Sequence, residues 1–147
     1  MGIFEKAIIT GNEILKYIPQ RSPIVMVDSF YGMNEVASCC GLTVTKENIF
    51  CNENCLEETG LIEHIAQSAA FRIGYTFISQ NKPVPLGFIG AINKFVLIKQ
   101  PKIGDHLKTY IRIEQEVFNI TLLAAEVKIG DEIVAECQMK VATSDQK

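Results

Sequence analysis

The stretch from Leu61 to Ile78 constrains this chain more than any other. Its 18 residues carry a helical pattern about 27 Å long, with Thr59 as the expected cap. Leu61, Ile62, Ile65, Ala66, Ala69, Ala70, Phe71, Ile73 and Phe77 occupy nearly every face of that helix. A helix apolar all round must be covered on most sides. A bilayer is not the cover, because Glu63, His64, Gln67 and Arg72 interrupt the run and charges at membrane depth are expensive. The cover has to come from the rest of the 147 residues, of which 48% are hydrophobic. Without repeat, linker or low-complexity tract, residues 1–147 read as one domain.

The second half of the chain supplies the cover. Leu107, Thr109, Ile111, Ile113, Gln115 and Val117 share one parity, and Lys108, Tyr110, Arg112, Glu114 and Glu116 the other. That is a half-buried strand. Phe118-Asn119 offers a turn, Thr121 to Ile129 a second strand, and Gly130-Asp131 a hairpin signal. The last strand puts Ile133, Ala135, Cys137, Met139 and Val141 on one face, with Val134 out of pattern. Strands joined in sequence by tight turns make an antiparallel sheet. Upstream, Ile24 to Val27 reads as a buried strand, and Glu35 to Val44 as another, weakened or bulged near Gly41. Thr10-Gly11-Asn12-Glu13 is a capping-box pattern for a short helix that stops by Pro19. The expected class is α+β, an antiparallel sheet curled around one long central helix.

Several function classes drop out. Fourteen Lys and Arg against 17 Asp and Glu leave a net charge of −3, so no basic footprint marks a nucleic-acid or anionic-membrane partner. Five cysteines are too few and too odd in number for a disulfide framework, and Cys51 and Cys55 have no His or second Cys pair nearby to complete a zinc site. The start Met1-Gly2-Ile3-Phe4-Glu5-Lys6 lacks a signal-peptide pattern, so the expectation is reduced thiols in a cytoplasmic protein. The glycines never cluster into a phosphate-binding loop, and no cofactor or metal is expected.

Glu63 is the residue that asks for a chemical explanation. A carboxylate is rarely buried without a partner, yet this one sits near the start of the most apolar helix. It is either an acid placed to favour the helix dipole or a general acid or base tuned by an apolar pocket. Gln67 follows at i+4 and projects from the same side. Ala66, Ala70 and Gly74 continue that side and leave room for a ligand or for a second helix. His64 lies about 100° further round, so it faces the sheet or a subunit boundary rather than acting with Glu63. His106 opens a strand among exposed neighbours and is expected to be solvated.

Three segments carry a resemblance. Ile18-Pro19-Gln20-Arg21-Ser22-Pro23-Ile24-Val25-Met26-Val27-Asp28 resembles the opening motif of the β-hydroxyacyl-acyl-carrier-protein dehydratases of fatty acid synthesis. Leu61 to Ala70, with Glu63, Ala66 and Gln67, resembles the central helix of that family. Phe88-Ile89-Gly90-Ala91-Ile92-Asn93-Lys94-Phe95, followed by Pro101-Lys102-Ile103-Gly104-Asp105, resembles its third landmark. The resemblance runs from Ile14 to Thr143 and implies the hotdog fold, paired as dimers through sheet edges with active sites at the boundary.

It also implies a mechanism. A 3-hydroxyacyl chain arrives on the phosphopantetheine arm of an acyl carrier protein, a His takes the proton next to the thioester, and a helix carboxyl protonates the departing hydroxyl. Glu63 matches that acid, and Gln67 the glutamine beside it. Gly60 and Leu61 fall where backbone N–H groups polarise the thioester carbonyl. Phe88 and Gly90 fall on the substrate side of the third landmark.

The departures matter as much. The family's catalytic His precedes the helix, whereas Phe50 to Gly60 contains no His, and Gln20 replaces the His of the opening motif. Cys51, Asn52 or Glu53 stands in the vacated place, though Asn can only orient. His64 reaching in against the helix geometry is another route. A third is loss of dehydration with acyl binding kept, as the partner subunit of an active homologue. A hotdog thioesterase using Glu63 to activate water is the remaining reading. The expected partner is acyl carrier protein or acyl-CoA, with Lys94, Lys99 and Lys102 as the nearest basic side chains, and the expected assembly is a homodimer or a larger oligomer.

Overall fold

The computed structural model describes residues 3–144. Strand β1 (Ile9–Thr10) leads into a short 3-10 helix (Gly11–Lys16), then β2 (Ser29–Met33) and β3 (Ala37–Thr43). A small hairpin, β4 (Cys51–Asn52) and β5 (Cys55–Leu56), precedes the α-helix α1 (Glu58–Ser79). Strands β6 (Gly87–Leu97), β7 (His106–Val117), β8 (Ile120–Ile129) and β9 (Glu132–Thr143) complete the chain. Seven strands form one sheet in the order β1-β2-β3-β7-β8-β9-β6, antiparallel at every pairing. The α+β architecture expected from periodicity is present, with α1 packed against the sheet.

Two apolar clusters enclose the helix. Leu61, Ile65 and Ala69 face Leu107, Ile111, Leu123 and Met139 of the sheet. On another side, Phe71 meets Ile14, Ile18 and Phe30, with the Phe30 and Phe71 rings 4.5 Å apart. The N-terminal segment is thus the second cover. It lies so close that a Cβ on Gly74 would come within 2.0 Å of the Tyr17 carbonyl oxygen. Glycine at 74 serves that contact and not a ligand.

The structure moves several expected boundaries. Helix α1 starts at Glu58 with Glu57 as N-cap, so Thr59 lies inside it, and no side chain caps the end. Thr10 holds the N-cap position of the short helix, also without a side-chain bond. Ile24 to Val27 is not a strand. Its backbone groups bond to side chains of α1: Gln67 takes the Ile24 carbonyl and the Met26 N–H, and His64 the Met26 carbonyl. With those groups satisfied, the segment needs no sheet partner.

Gly41 pairs in regular register, with Ser29 on one side and Lys108 on the other. The bulge lies instead in β2 between Phe30 and Gly32, where Gly32 has φ +114. Gly41 is small for another reason, since a Cβ there would sit 2.4 Å from Ser29 Oγ. The irregular Val134 is also explained. A register shift opposite Val127 and Lys128 inserts it as an extra residue, so Val134 and Ala135 both turn inward.

Candidate active site

Glu63 sits in the second turn of α1, half-buried, and lines a groove of 620 Å³. The groove has three walls: Ile18, Gln20 and Arg21 of the N-terminal segment, Ala66 and Ala70 of α1, and Leu86 and Phe88 at the start of β6. The small side chains at 66 and 70 leave room for this cavity.

Gln67 positions the Glu63 carboxyl. It is fully buried, and its Oε1 accepts the Met26 N–H at 2.6 Å. Because a backbone N–H only donates, the amide orientation is determined. Its Nε2 then donates to the Ile24 carbonyl at 2.7 Å and to Glu63 Oε1 at 3.0 Å. Glu63 Oε1 is the acceptor in this arrangement.

His64 is held elsewhere. Its Nδ1 lies 2.6 Å from the Met26 carbonyl, which can only accept, so Nδ1 carries the proton. Its Nε2 bonds the Thr109 hydroxyl of β7 at 2.7 Å. Burial lowers its pKa to about 4, against the upward pull of the Met26 carbonyl. A neutral, sealed imidazole with both nitrogens engaged does not reach the groove beside Glu63, and the catalytic place considered for it is corrected to a structural one.

The other candidates are dispersed. Asn52 and Glu53 lie exposed on the β4–β5 hairpin, where Glu53 and Asn54 take left-handed φ of 52 and 68 at the turn. Neither lines the groove, and nor does Cys51, whose thiol contacts the Thr45 carbonyl at 3.7 Å. Gly60 is buried under Phe50, whose Cβ would lie 2.4 Å from an added methyl. Leu61 N–H donates to the Glu57 carbonyl at 3.1 Å, so the earlier helix start removes it as a free donor. Phe88 lines the groove, whereas Gly90 lies beyond it against Lys140.

His106 is not simply solvated. It bridges Tyr31 and Thr43 at 2.8 Å on each nitrogen, away from the Glu63 groove. Gln20 and Arg21 are the groove residues that residue chemistry alone passed over. Arg21 donates to the carbonyls of Ile18 and Gln20 at 2.8 Å and so shapes this wall, while Gln20 Oε1 is buried with no partner among the described residues. The signal was available in the opening motif, which is the segment laid along α1.

No helix among the described residues is long and apolar enough to cross a membrane. Comparisons with known proteins bear on the family. The dehydratase FabZ of Lactobacillus helveticus, a 3-hydroxyacyl-acyl-carrier-protein dehydratase, is 24% identical over 96% of this chain and 97% of its own length. FabZ of Rickettsia canadensis is 30% identical over 91% of the chain and 96% of its own length. Among solved structures, the dehydratase heterocomplex ApeI:P of Xenorhabdus doucetiae superposes with a TM-score of 0.83 at 14% identity, covering 90% of this chain and 91% of that one. A Streptococcus pneumoniae hypothetical thioesterase with coenzyme A gives a TM-score of 0.65 at 12% identity, covering 80% and 89%. These likenesses establish the hotdog fold. A family model described as ApeP dehydratase matches residues 12–147, nearly the whole chain. The chain belongs to the ApeP-like dehydratases, a family of FabZ-like hotdog proteins.

Proposed function

We propose that this chain is the acid-bearing subunit of a 3-hydroxyacyl-thioester dehydratase, with Glu63 as the general acid. The observation that carries the reading is the Glu63 carboxyl, set in an apolar groove with one oxygen pinned by the buried Gln67 amide. A positioned carboxyl beside an acyl-sized cavity suits proton donation to a leaving hydroxyl. A base removes the proton next to the thioester carbonyl, and that electron pair forms the new double bond. The bond to the 3-hydroxyl breaks, and the oxygen leaves as water with the proton from Glu63. The elimination is redox-neutral and calls for no cofactor beyond the pantetheine arm that carries the acyl group.

The base comes from a second chain in this reading. Neither His64 nor His106 lines the groove, and both have their ring nitrogens bonded elsewhere. Strand β6 is an outer strand of the sheet, bonded among the described residues to β9 alone, and it exposes Phe88, Ile89 and Val96. Its start forms one wall of the Glu63 groove, so a hotdog partner joined there would stand at the site. The ApeI:P neighbour is described as a dehydratase heterocomplex, which favours a homologous, His-bearing partner over a second copy. The thiol carrier is acyl carrier protein or coenzyme A. Lys94 and Lys102 are exposed for docking, while Lys99 is paired with Glu132 at 3.3 Å.

The test is a spectrophotometric hydration assay on enoyl pantetheine and enoyl carrier protein, with the chain alone and mixed with a His-bearing hotdog homologue. Turnover is expected in the mixture. Glu63→Gln should lower it by about 10²–10⁴-fold with the fold intact. Turnover untouched by Glu63→Gln would overturn the assignment of the acid. Release of free thiol in place of hydration would establish the thioesterase reading instead.

A further inference from the structure

Two cavities flank α1, and three side chains belong to both. Ala69, Ile73 and Val141 line the Glu63 groove and also a second cavity of 700 Å³ under the C-terminal half of the helix. Ala69 and Ile73 stand at i and i+4 on one helix stripe, and Val141 faces them from β9. Ile73 lies ten residues beyond Glu63, which is about 15 Å along the axis. The groove lining thus spans from Glu63 to Ile73, and Ala69, Ile73 and Val141 are the side chains that both cavities share.

The second cavity is apolar where it meets that wall. Phe77 of α1, Ile113 of β7 and Leu123 of β8 line it there, while Asn34, Glu35, Glu116 and Thr121 make much of the rest of its lining polar. Arg72 lines it too, but its guanidinium is committed. It donates to the carbonyls of Ala37, Asn34 and Glu35 at 2.8, 3.0 and 2.9 Å, holding the β2–β3 turn as the far side. Its donors thus serve the protein's own backbone rather than an anionic ligand. The occupant that fits the apolar part, between Ile73, Phe77, Ile113, Leu123 and Val141, is an aliphatic tail.

We infer that Ile73, backed by Val141, is the partition that sets how far an acyl chain extends, and that the second cavity receives the tail of longer chains. This rests on the dehydratase reading for the identity of the thioester, but its readout is binding and not turnover. Each methylene that finds apolar cover should tighten binding about fourfold.

The experiment is calorimetric titration of the purified chain, in its native assembly, with saturated acyl pantetheines from butyryl to palmitoyl. The wild type should tighten with each added pair of carbons and then stop. In Ile73→Ala the tightening should continue to longer chains, and in Ile73→Phe it should stop earlier. Val141→Ala thins the same wall from the sheet side and serves should Ile73→Ala not fold. Thr121 lines only the second cavity, so Thr121→Phe added to Ile73→Ala should shorten the limit again. Binding with the same limit in all folded variants would overturn the partition and leave the dehydratase reading standing. Failure of every acyl pantetheine to bind would overturn both.

Discussion

His64 stands one residue from Glu63 in the chain, yet it is sealed from solvent between the 24–27 segment, α1 and β7. Burial disfavours its charged form and lowers its pKa to about 4 from an ordinary 6.5. The Met26 carbonyl and Asp28 pull the other way, and His106 adds to the lowering. The sign of the consequence follows from proton counting. Between about pH 6.5 and about 4 the unfolded chain binds a proton at His64 that the folded chain refuses. Stability should therefore fall as pH drops through that window, and this contribution should level off below it. The slope from one such proton is at most about 1.4 kcal/mol per pH unit. Urea unfolding of the wild type and of His64→Asn, followed across the window, checks it. The variant starts less stable, but its curve should be flatter by up to that slope, and parallel curves would show that His64 does not titrate this way.

At the scale of elements, the N-terminal segment and α1 act as one unit. Gly74 is where they touch most closely, with the Tyr17 carbonyl oxygen 2.0 Å from an added Cβ. Backbone cannot yield as a flexible side chain does, so Gly74→Ala should lift the segment and cost about 1–3 kcal/mol, outweighing the helix propensity that alanine gains. A lower urea midpoint at an unchanged slope is the expected result, and a more stable variant would mean that the segment repacks freely. This coupling also explains what could be read from residues alone. Strands β7 to β9 were legible because their alternation and two-residue turns are local signals, and α1 because an all-apolar helix is hard to mistake. Ile24 to Val27 misled because its hydrogen-bond partners are side chains some forty residues away. Glu63 stood out as a carboxyl in apolar company. The groove around it did not, since its walls come from three separate stretches, and only folding brings Gln20, Ala70 and Leu86 together.

The whole molecule presents one unbalanced edge. At one end of the sheet β1 is only two residues long, a short edge of the kind that resists association. At the other end β6 runs for 11 residues, and of its side chains only Lys94 is charged. Phe88, Ile89 and Val96 are 56%, 44% and 46% exposed there. A long apolar edge left open is an association hazard unless a partner covers it, and the bulges at Gly90 and Lys94 do not remove the strand between them. Pairing at β6 would bury that edge and place the second chain against the groove wall that Phe88 helps to form. Association of this kind makes apparent stability depend on concentration. The melting temperature of the full chain should rise with protein concentration, and sedimentation should show a dimer or larger assembly. Val96→Asp adds a charge to the exposed edge without touching the groove, so it should weaken association by tenfold or more while the monomer stays folded. If the chain pairs with a homologue in preference to itself, the same substitution should lower turnover of the mixture at low concentration, and raising the partner's concentration should restore it. A wild type that sediments as a monomer, with a melting temperature independent of concentration and of the homologue, would mean that β6 is not the joining edge.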